Sequence, residues 1–327
     1  MSVDIPNYRI IEKLGEGAQS QLYRARCMRN GKDYTVKIVK VTKPEDTSYV
    51  DLLRAEHAIG STVDHPVIRK VYEYRIMRQR LRLRGGILFM EYVDGLPMSD
   101  KGFHRPFDEI LRLFGKAAEG LHAMHMSGYV HADLKPNNIL VTNEGAVKLI
   151  DLGQSSKIHE AKTRIQGTID YIAPEQVQRG ILDQRTDVFG LGAAMHRVVT
   201  GKPVATEMNQ TISLHSQSLV GTRLSQIRQT TTENLPACVA RLIDDCCQYD
   251  PARRLRDMPA FIERLRLART ILAKQAQGPT AFDLDHEFAW DESESPHDGM
   301  DDTILDELGL SGDVDDSVDL EDFSPLK

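Results

Sequence analysis

From Tyr8 to Val93 the apolar positions recur mainly at every second residue. The segments 20-SQLYRARC-27 and 34-YTVKIVKV-41 alternate in this way, which is the period of a strand with one buried face. One helical stretch interrupts them. In 51-DLLRAEHAIGSTV-63, Leu52, Ala55, Ile59 and Val63 repeat at helical spacing, and Glu56 falls on the same apolar face, where a carboxylate needs a partner. After 94-DGLP-97 the period changes. Ile110, Leu111, Phe114, Ala117, Ala118, Leu121 and Met124 form a single stripe that starts behind Pro106 and stops at Ser127-Gly128. Further helices are expected near 187–200, 236–247 and 259–274. The pattern predicts an α+β chain: a small strand-rich lobe with one main helix, a hinge, and a larger helical lobe.

Charge adds a third region. Residues 276–327 carry 17 Asp and Glu against one Lys, so the segment is −16 while residues 1–275 are +9. So acidic a segment, poor in large apolar clusters, cannot offset the entropy of ordering itself, and a disordered tail is expected beyond the Gln277-Gly278-Pro279 break. The expected divisions are 1–93, 94–275 and 276–327. The four cysteines include no CxxC pair and read as reduced, intracellular thiols. The start, MSVDIPNYRI, has no leader pattern, and no apolar run is long enough for a membrane span, so a soluble, cytoplasmic protein is expected. The eleven histidines show no metal-ligand spacing. The run 80-RLRLRGG-86 alternates at strand period without interleaved aromatics, which favours a hairpin over a nucleic-acid surface.

Three stretches carry candidate chemistry. In 14-LGEGAQSQLY-23 two glycines lie between strand-like segments, a hairpin whose backbone can lie against phosphates; Ser20 stands where a third glycine would complete the pattern. Lys37 sits inside an apolar strand, with Glu56 as its prospective partner. The run 131-HADLKPNN-138 places Asp133 to orient or deprotonate a hydroxyl, Lys135 to neutralise a phosphoryl group, and Asn138 to offer a hard oxygen to Mg2+. In 148-KLIDLG-153, Asp151 ends an apolar strand and supplies a second oxygen ligand.

Together these segments resemble the eukaryotic-type protein kinase superfamily, over residues 8 to 272, and in particular its bacterial-type soluble serine/threonine members. The resemblance implies the bilobal kinase fold, with ATP and Mg2+ (or Mn2+) as cofactors. It identifies Gly15 and Gly17 with the glycine-rich loop, Lys37 with the phosphate-holding lysine and Glu56 with its helix partner. It places Met90 as gatekeeper and Glu91 to Val93 as hinge, with Leu14, Leu22, Thr35 and Leu140 also around the nucleotide. Asp133 corresponds to the catalytic aspartate, and Asn138 and Asp151 to the metal ligands. Downstream, 173-APE-175, Asp187 and Arg254 match the end of the activation segment, the buried aspartate behind the catalytic loop, and the arginine that pairs with Glu175. Lys135 and Thr168 point to a serine or threonine acceptor on a protein substrate. His131 is expected to pack behind the loop.

The chain departs from the family pattern at several places. Ala132 replaces the catalytic-loop arginine that receives an activation-segment phosphate, so a switch through Ser155, Ser156 or Thr163 is expected to be lost. Thr35 replaces an alanine. Leu152 and Gly60 replace bulkier apolar residues, which is expected to thin the stack that holds the helix inward. Two rivals stand beside protein phosphorylation: a small-molecule phosphotransferase, which the APE segment, Asp187 and Arg254 oppose, and a catalytically silent or weak scaffold, which Lys37, Asp133 and Asp151 oppose. For the tail, three roles remain open: solubility, attraction to a basic partner or to Arg78, Arg80, Arg82 and Arg84, and recognition of Thr303-Ile304-Leu305-Asp306 by a phosphothreonine-reading domain.

Overall fold

The structure is a computed structural model that describes residues 5–17, 20–43, 46–80, 82–162, 165, 167–204 and 235–277. Residues 278–327, with the Thr303 motif, and Thr163 lie outside the described residues; Ala276 and Gln277, expected in the tail, end the last helix.

The amino-terminal lobe is a five-stranded antiparallel sheet in the order β1-β2-β3-β5-β4. Its strands are β1 (Tyr8–Glu16), β2 (Ser20–Cys27), β3 (Asp33–Lys40), β4 (Val71–Gln79) and β5 (Arg82–Glu91). Alternation sorts the side chains of β3 and β5 between two clusters. Val36, Ile38, Ile87 and Phe89 pack with Ile5 and Ala25, while Val39, Leu88 and Met90 face Val50 and Leu53 of the helix α1 (Thr47–Thr62). The 80–86 stretch straddles the β4–β5 turn, where Arg80 takes a left-handed backbone with φ 55°.

The face of α1 differs from the expectation. Val50, Leu53, Glu56, Ile59 and Gly60 are its buried positions, Leu52 is half-buried and Ala55 exposed. The helix packs on the sheet at one end and on the helical lobe at the other, where Ile59 joins a second core, and this double contact rotates the buried stripe. The expected thinning at Gly60 is also corrected. A Cβ on Gly60 would lie 2.3 Å from Val71 Cγ2 and 3.6 Å from Leu152 Cδ1, so the side chain of Val71 occupies the space the glycine leaves. Leu152 is buried in the same core as Ile59 and Val63.

The helical lobe follows the hinge. A three-stranded sheet, β6 (Gly95–Pro97), β8 (Ile139–Thr142) and β9 (Val147–Leu149), lies at its cleft side, and β7 (Tyr129–Val130) pairs with β10 (Ser156–Lys157). The helices are α2 (Phe107–Met126), α3 (Pro174–Val177), α4 (Gln184–Thr200), α5 (Ala237–Cys246) and α6 (Met258–Gln277). Leu111, Phe114, Ala117, Ala118, Leu121 and Met124 of α2 are buried as their spacing predicts, with Ile110 half-buried at the margin. Asp108 and Glu109 in its first turn suit the helix dipole, and Gly128 at φ 85° lets the chain leave it. Asp183 caps α4 by accepting from the Arg185 amide, and Gly201 ends it at φ 72°. The small strand-rich and larger helical lobes form the bilobal kinase fold. All four cysteines are free thiols. No helix among the described residues is long and apolar enough to cross a membrane.

Candidate active site

The glycine hairpin, β3, α1 and two loops of the helical lobe converge on one cleft. Gly15 pairs with Leu22, Leu22 with Lys37, and Thr35 with Met90, so the register lines these residues up across the sheet. Gly17 donates its amide to Ser20 O at 2.8 Å, closing the hairpin, and Leu14 is exposed beside it. Thr35 and Met90 are buried, Val93 is half-buried, and Leu140 is half-buried on the strand that pairs with Pro97. Glu91 turns its carboxylate to Lys148 Nζ at 2.8 Å and the Lys70 amide at 3.1 Å, which ties the hinge to β9 and to the start of β4.

Lys37 joins the lobes. Its Nζ donates to Glu56 Oε2 at 2.7 Å and to Asp151 Oδ1 at 3.0 Å. Burial by itself would favour a neutral amine, but the two carboxylates outweigh it and hold the Lys37 ammonium above its ordinary range. Burial likewise opposes ionisation of Asp151, and Lys37 reverses that, bringing the carboxyl down to about 2. The group is therefore charged at neutral pH. Asp151 stands at φ 64°, ψ 71°, a left-handed geometry that carries the chain from β9 into the 3-10 turn Leu152–Gln154. A cavity of about 240 Å3 opens against Ser20, Lys37, Leu53, Glu56, Asp151 and Gly153.

On the other side of the cleft, Asp133 is 7% exposed and fully engaged. The Thr168 hydroxyl donates to its Oδ1 at 2.8 Å, and Lys135 Nζ donates to its Oδ2 at 2.9 Å and to Thr168 Oγ1 at 2.8 Å. The hydroxyl thus uses its one proton on the aspartate and a lone pair on the lysine. Asn138 Nδ2 donates to Asp133 O at 2.8 Å, which commits its amide hydrogens to the loop.

Behind this loop, Asp187 receives the amides of His131 at 2.8 Å and Ala132 at 2.9 Å, and His125 Nε2 lies 2.8 Å from it. Burial opposes charge on Asp187, but His125 and the amides outweigh it and lower its pKa. These bonds hold Ala132 at φ 59°, and Gln176 Nε2 donates to Ala132 O at 2.8 Å. His131 is fully buried, its Nε2 3.2 Å from Ile150 O. The Ala132 side chain meets Val130, Leu182 and Ile158, an apolar cluster at the position where an arginine was the family expectation. Arg254 donates two parallel bonds of 2.8 Å to Glu175 and others to the carbonyls of Gln248, Tyr249 and Arg185, which locks α3 to the base of the lobe.

The donor set fits a nucleotide–magnesium complex. Among the described residues Asn138 Oδ1 and Asp151 Oδ2 accept no hydrogen bond, and both are hard oxygens. No group of three or more His, Cys, Asp or Glu side chains among them forms an all-protein metal cage, and Mg2+ ordinarily needs only one or two protein ligands beside substrate phosphates. Sequence reasoning missed His125, Gln176, Lys148 and Arg69. Each is one polar residue far along the chain from what it touches.

Comparison with known proteins agrees with this fold. The protein kinase domain model matches residues 8–264. The chain is 28% identical over 295 residues to the probable serine/threonine-protein kinase CPE1738 of Clostridium perfringens, covering 84% of this chain and 41% of that protein. It is 31% identical over 212 residues to the serine/threonine-protein kinase PknB of Mycobacterium tuberculosis, covering 61% and 33%. With PknA of the same species it shares 27% over 270 residues, covering 80% and 61%. The chain thus spans between 33% and 61% of the length of these relatives. By its fold and by a match that covers most of its length, the chain belongs to the protein kinase domain family.

Proposed function

We propose that this protein is a serine/threonine protein kinase that transfers the γ-phosphoryl group of ATP to hydroxyls of a protein substrate. The observation that carries the reading is the closed ring of Asp133, Lys135 and Thr168, set in one cleft with the Lys37–Glu56 pair. Asp133 orients the acceptor hydroxyl and takes its proton as the oxygen attacks the γ-phosphorus, whose bond to the β–γ bridging oxygen breaks to release ADP. Lys135 offsets negative charge on the group in transit, and Thr168 fixes the carboxylate that receives the proton. Lys37, held by Glu56, aims its ammonium at the phosphates from the opposite wall. Asn138 and Asp151 would hold Mg2+, which when bound neutralises charge on the nucleotide. Gly15, Gly17, Leu14, Leu22, Thr35, Met90, the hinge and Leu140 form the nucleotide cradle. The names of the relatives, all serine/threonine-protein kinases, support the same acceptor class.

The test is transfer of radiolabelled phosphate from Mg2+·ATP to serine and threonine in a protein substrate. Asp133→Asn is expected to lower the rate by roughly 10²-fold or more. No transfer by the unaltered protein, with nucleotide bound, would instead favour a scaffold.

A further inference from the structure

Arg69 lies in 65-HPVIRKV-71, the connection from α1 into β4. The structure buries it, with a side chain 6% exposed. Its amide donates to Leu149 O at 3.0 Å, and the preceding Ile68 bridges to Leu149 in parallel, so the residue is anchored to β9 just before Asp151. Its guanidinium reaches to 3.9 Å from Glu56 Oε1, the oxygen that Lys37 does not use. Glu56 itself is 1% exposed, and a buried carboxylate needs both oxygens compensated. Lys37 and Arg69 are the cations within 4.0 Å of it among the described residues. Burial lowers the Arg69 pKa against the pull of Glu56, Asp151 and Glu91, so the acidic neighbours offset only part of the cost of burying it.

One turn beyond Glu56, Gly60 offers no side chain to hold α1, and Val71 is what meets it. Apolar contact at that point comes first from Val71, on the connection that carries Arg69, and beyond it from Leu152. We infer that Arg69 is a positioning residue: it holds Glu56 Oε1 so that Oε2 stays on Lys37 and α1 stays against the sheet without a bound ligand or partner. The consequence for phosphoryl transfer rests on the kinase reading above. The coupling of Arg69 to Glu56 does not.

The test compares Arg69→Met, which keeps an unbranched stem and removes the charge, with Arg69→Lys, which keeps a charge. Arg69→Met is expected to lower kcat roughly 10-fold or more with a smaller change in KM for ATP, as misplacement of a group near the reacting atoms does, and Arg69→Lys should recover part of it. In a Glu56→Gln background Arg69→Met should cost little more. Independently of activity, hydrogen exchange of the free, full-length protein should quicken in residues 47–62 of Arg69→Met and remain as before in α2 and α6. Unchanged exchange in α1 of folded Arg69→Met, or an equal loss in the Glu56→Gln background, would overturn the inference. Should Arg69→Met not fold, exchange in Glu56→Gln decides, and α1 as protected as in the unaltered protein counts against the clamp. A protein that transfers no phosphate sinks the kinase reading, while the exchange data still settle the clamp.

Discussion

Thr168 Oγ1 donates to Asp133 Oδ1 at 2.8 Å and so holds one oxygen of the proposed base in a single orientation. The bond crosses from the activation segment to the catalytic loop, which makes the geometry of Asp133 depend on where that segment lies. Lys135 closes the ring by contacting both residues. Thr168→Ala removes the link while leaving the carboxylate in place, and should lower kcat roughly 10-fold or more, within the range of a positioned acid–base group. Thr168→Ser keeps the hydroxyl and should retain most of the activity. Steady-state kinetics with thermal melting as a folding control would check both, and equal rates for the Ala and Ser variants would show the hydroxyl to be idle.

A second expectation concerns the segment's anchor. Ala132 contributes no cation, and its side chain joins Val130, Leu182 and Ile158, while His159 donates its amide to Leu182 O and Ala161 bridges Ile181. Beside Ala132 the segment is thus held by apolar contact and backbone pairing, neither of which requires phosphate. Phosphatase treatment should leave turnover unchanged. Ile158→Asp, which places a charge against buried Leu182, should reduce it. A large loss on dephosphorylation traced to Ser155, Ser156 or Thr163 would refute this account.

How much of this was legible in the sequence varies with the kind of feature. The stripe of α2 is legible because a single core faces it, so 3.6-residue periodicity survives intact. The face of α1 is not legible from periodicity because the helix serves the sheet and the helical lobe at once, and Ala55, apolar by type, is too small to demand burial. Lys37, Glu56, Asp133, Lys135, Asn138, Asp151 and Thr168 could be named in advance because they sit in short runs whose residue types and spacing resemble a known family. The structure brings them into one cleft. Arg69, His125 and Gln176 belong to no such run. Their meaning arises only when chain segments distant in sequence meet, and a buried arginine in a stretch with a neighbouring Lys70 looks like a solvated charge.

The contact of Gly60 with Val71 predicts the sign of a substitution that helix propensity alone would get wrong. Gly→Ala inside a helix ordinarily gains about 0.5–1 kcal/mol. Here the added Cβ would lie 2.3 Å from Val71 Cγ2 and 2.9 Å from Val71 Cβ, a branched side chain with little freedom to withdraw. Overpacking of this kind costs about 1–3 kcal/mol, so Gly60→Ala should be net destabilising. In a Val71→Ala background the 2.3 Å overlap with Cγ2 is gone and only the 2.9 Å approach to Cβ remains, so the same change should cost less. Chemical denaturation of the four proteins in this cycle measures the coupling, and strict additivity would mean that the two positions do not compete for space.

Asp187 gives the last prediction, a dependence on pH. Burial would raise its pKa, but His125 and the amides of the catalytic loop more than compensate and lower it below the ordinary carboxyl value. A group whose folded pKa is depressed stabilises the fold fully above its unfolded pKa, about 4, and that contribution fades as pH falls from there through the folded value. Asp187 should therefore contribute to the loss of stability on acidification below about pH 4. Asp187→Asn keeps the shape but replaces one charged acceptor by an amide that can accept from only one of the two loop amides. It should be less stable at neutral pH, with a shallower slope below about pH 4. Denaturant unfolding at a series of pH values reads both effects. An Asn variant with the parent's acid slope would mean that Asp187 does not titrate differently in the folded and unfolded chain.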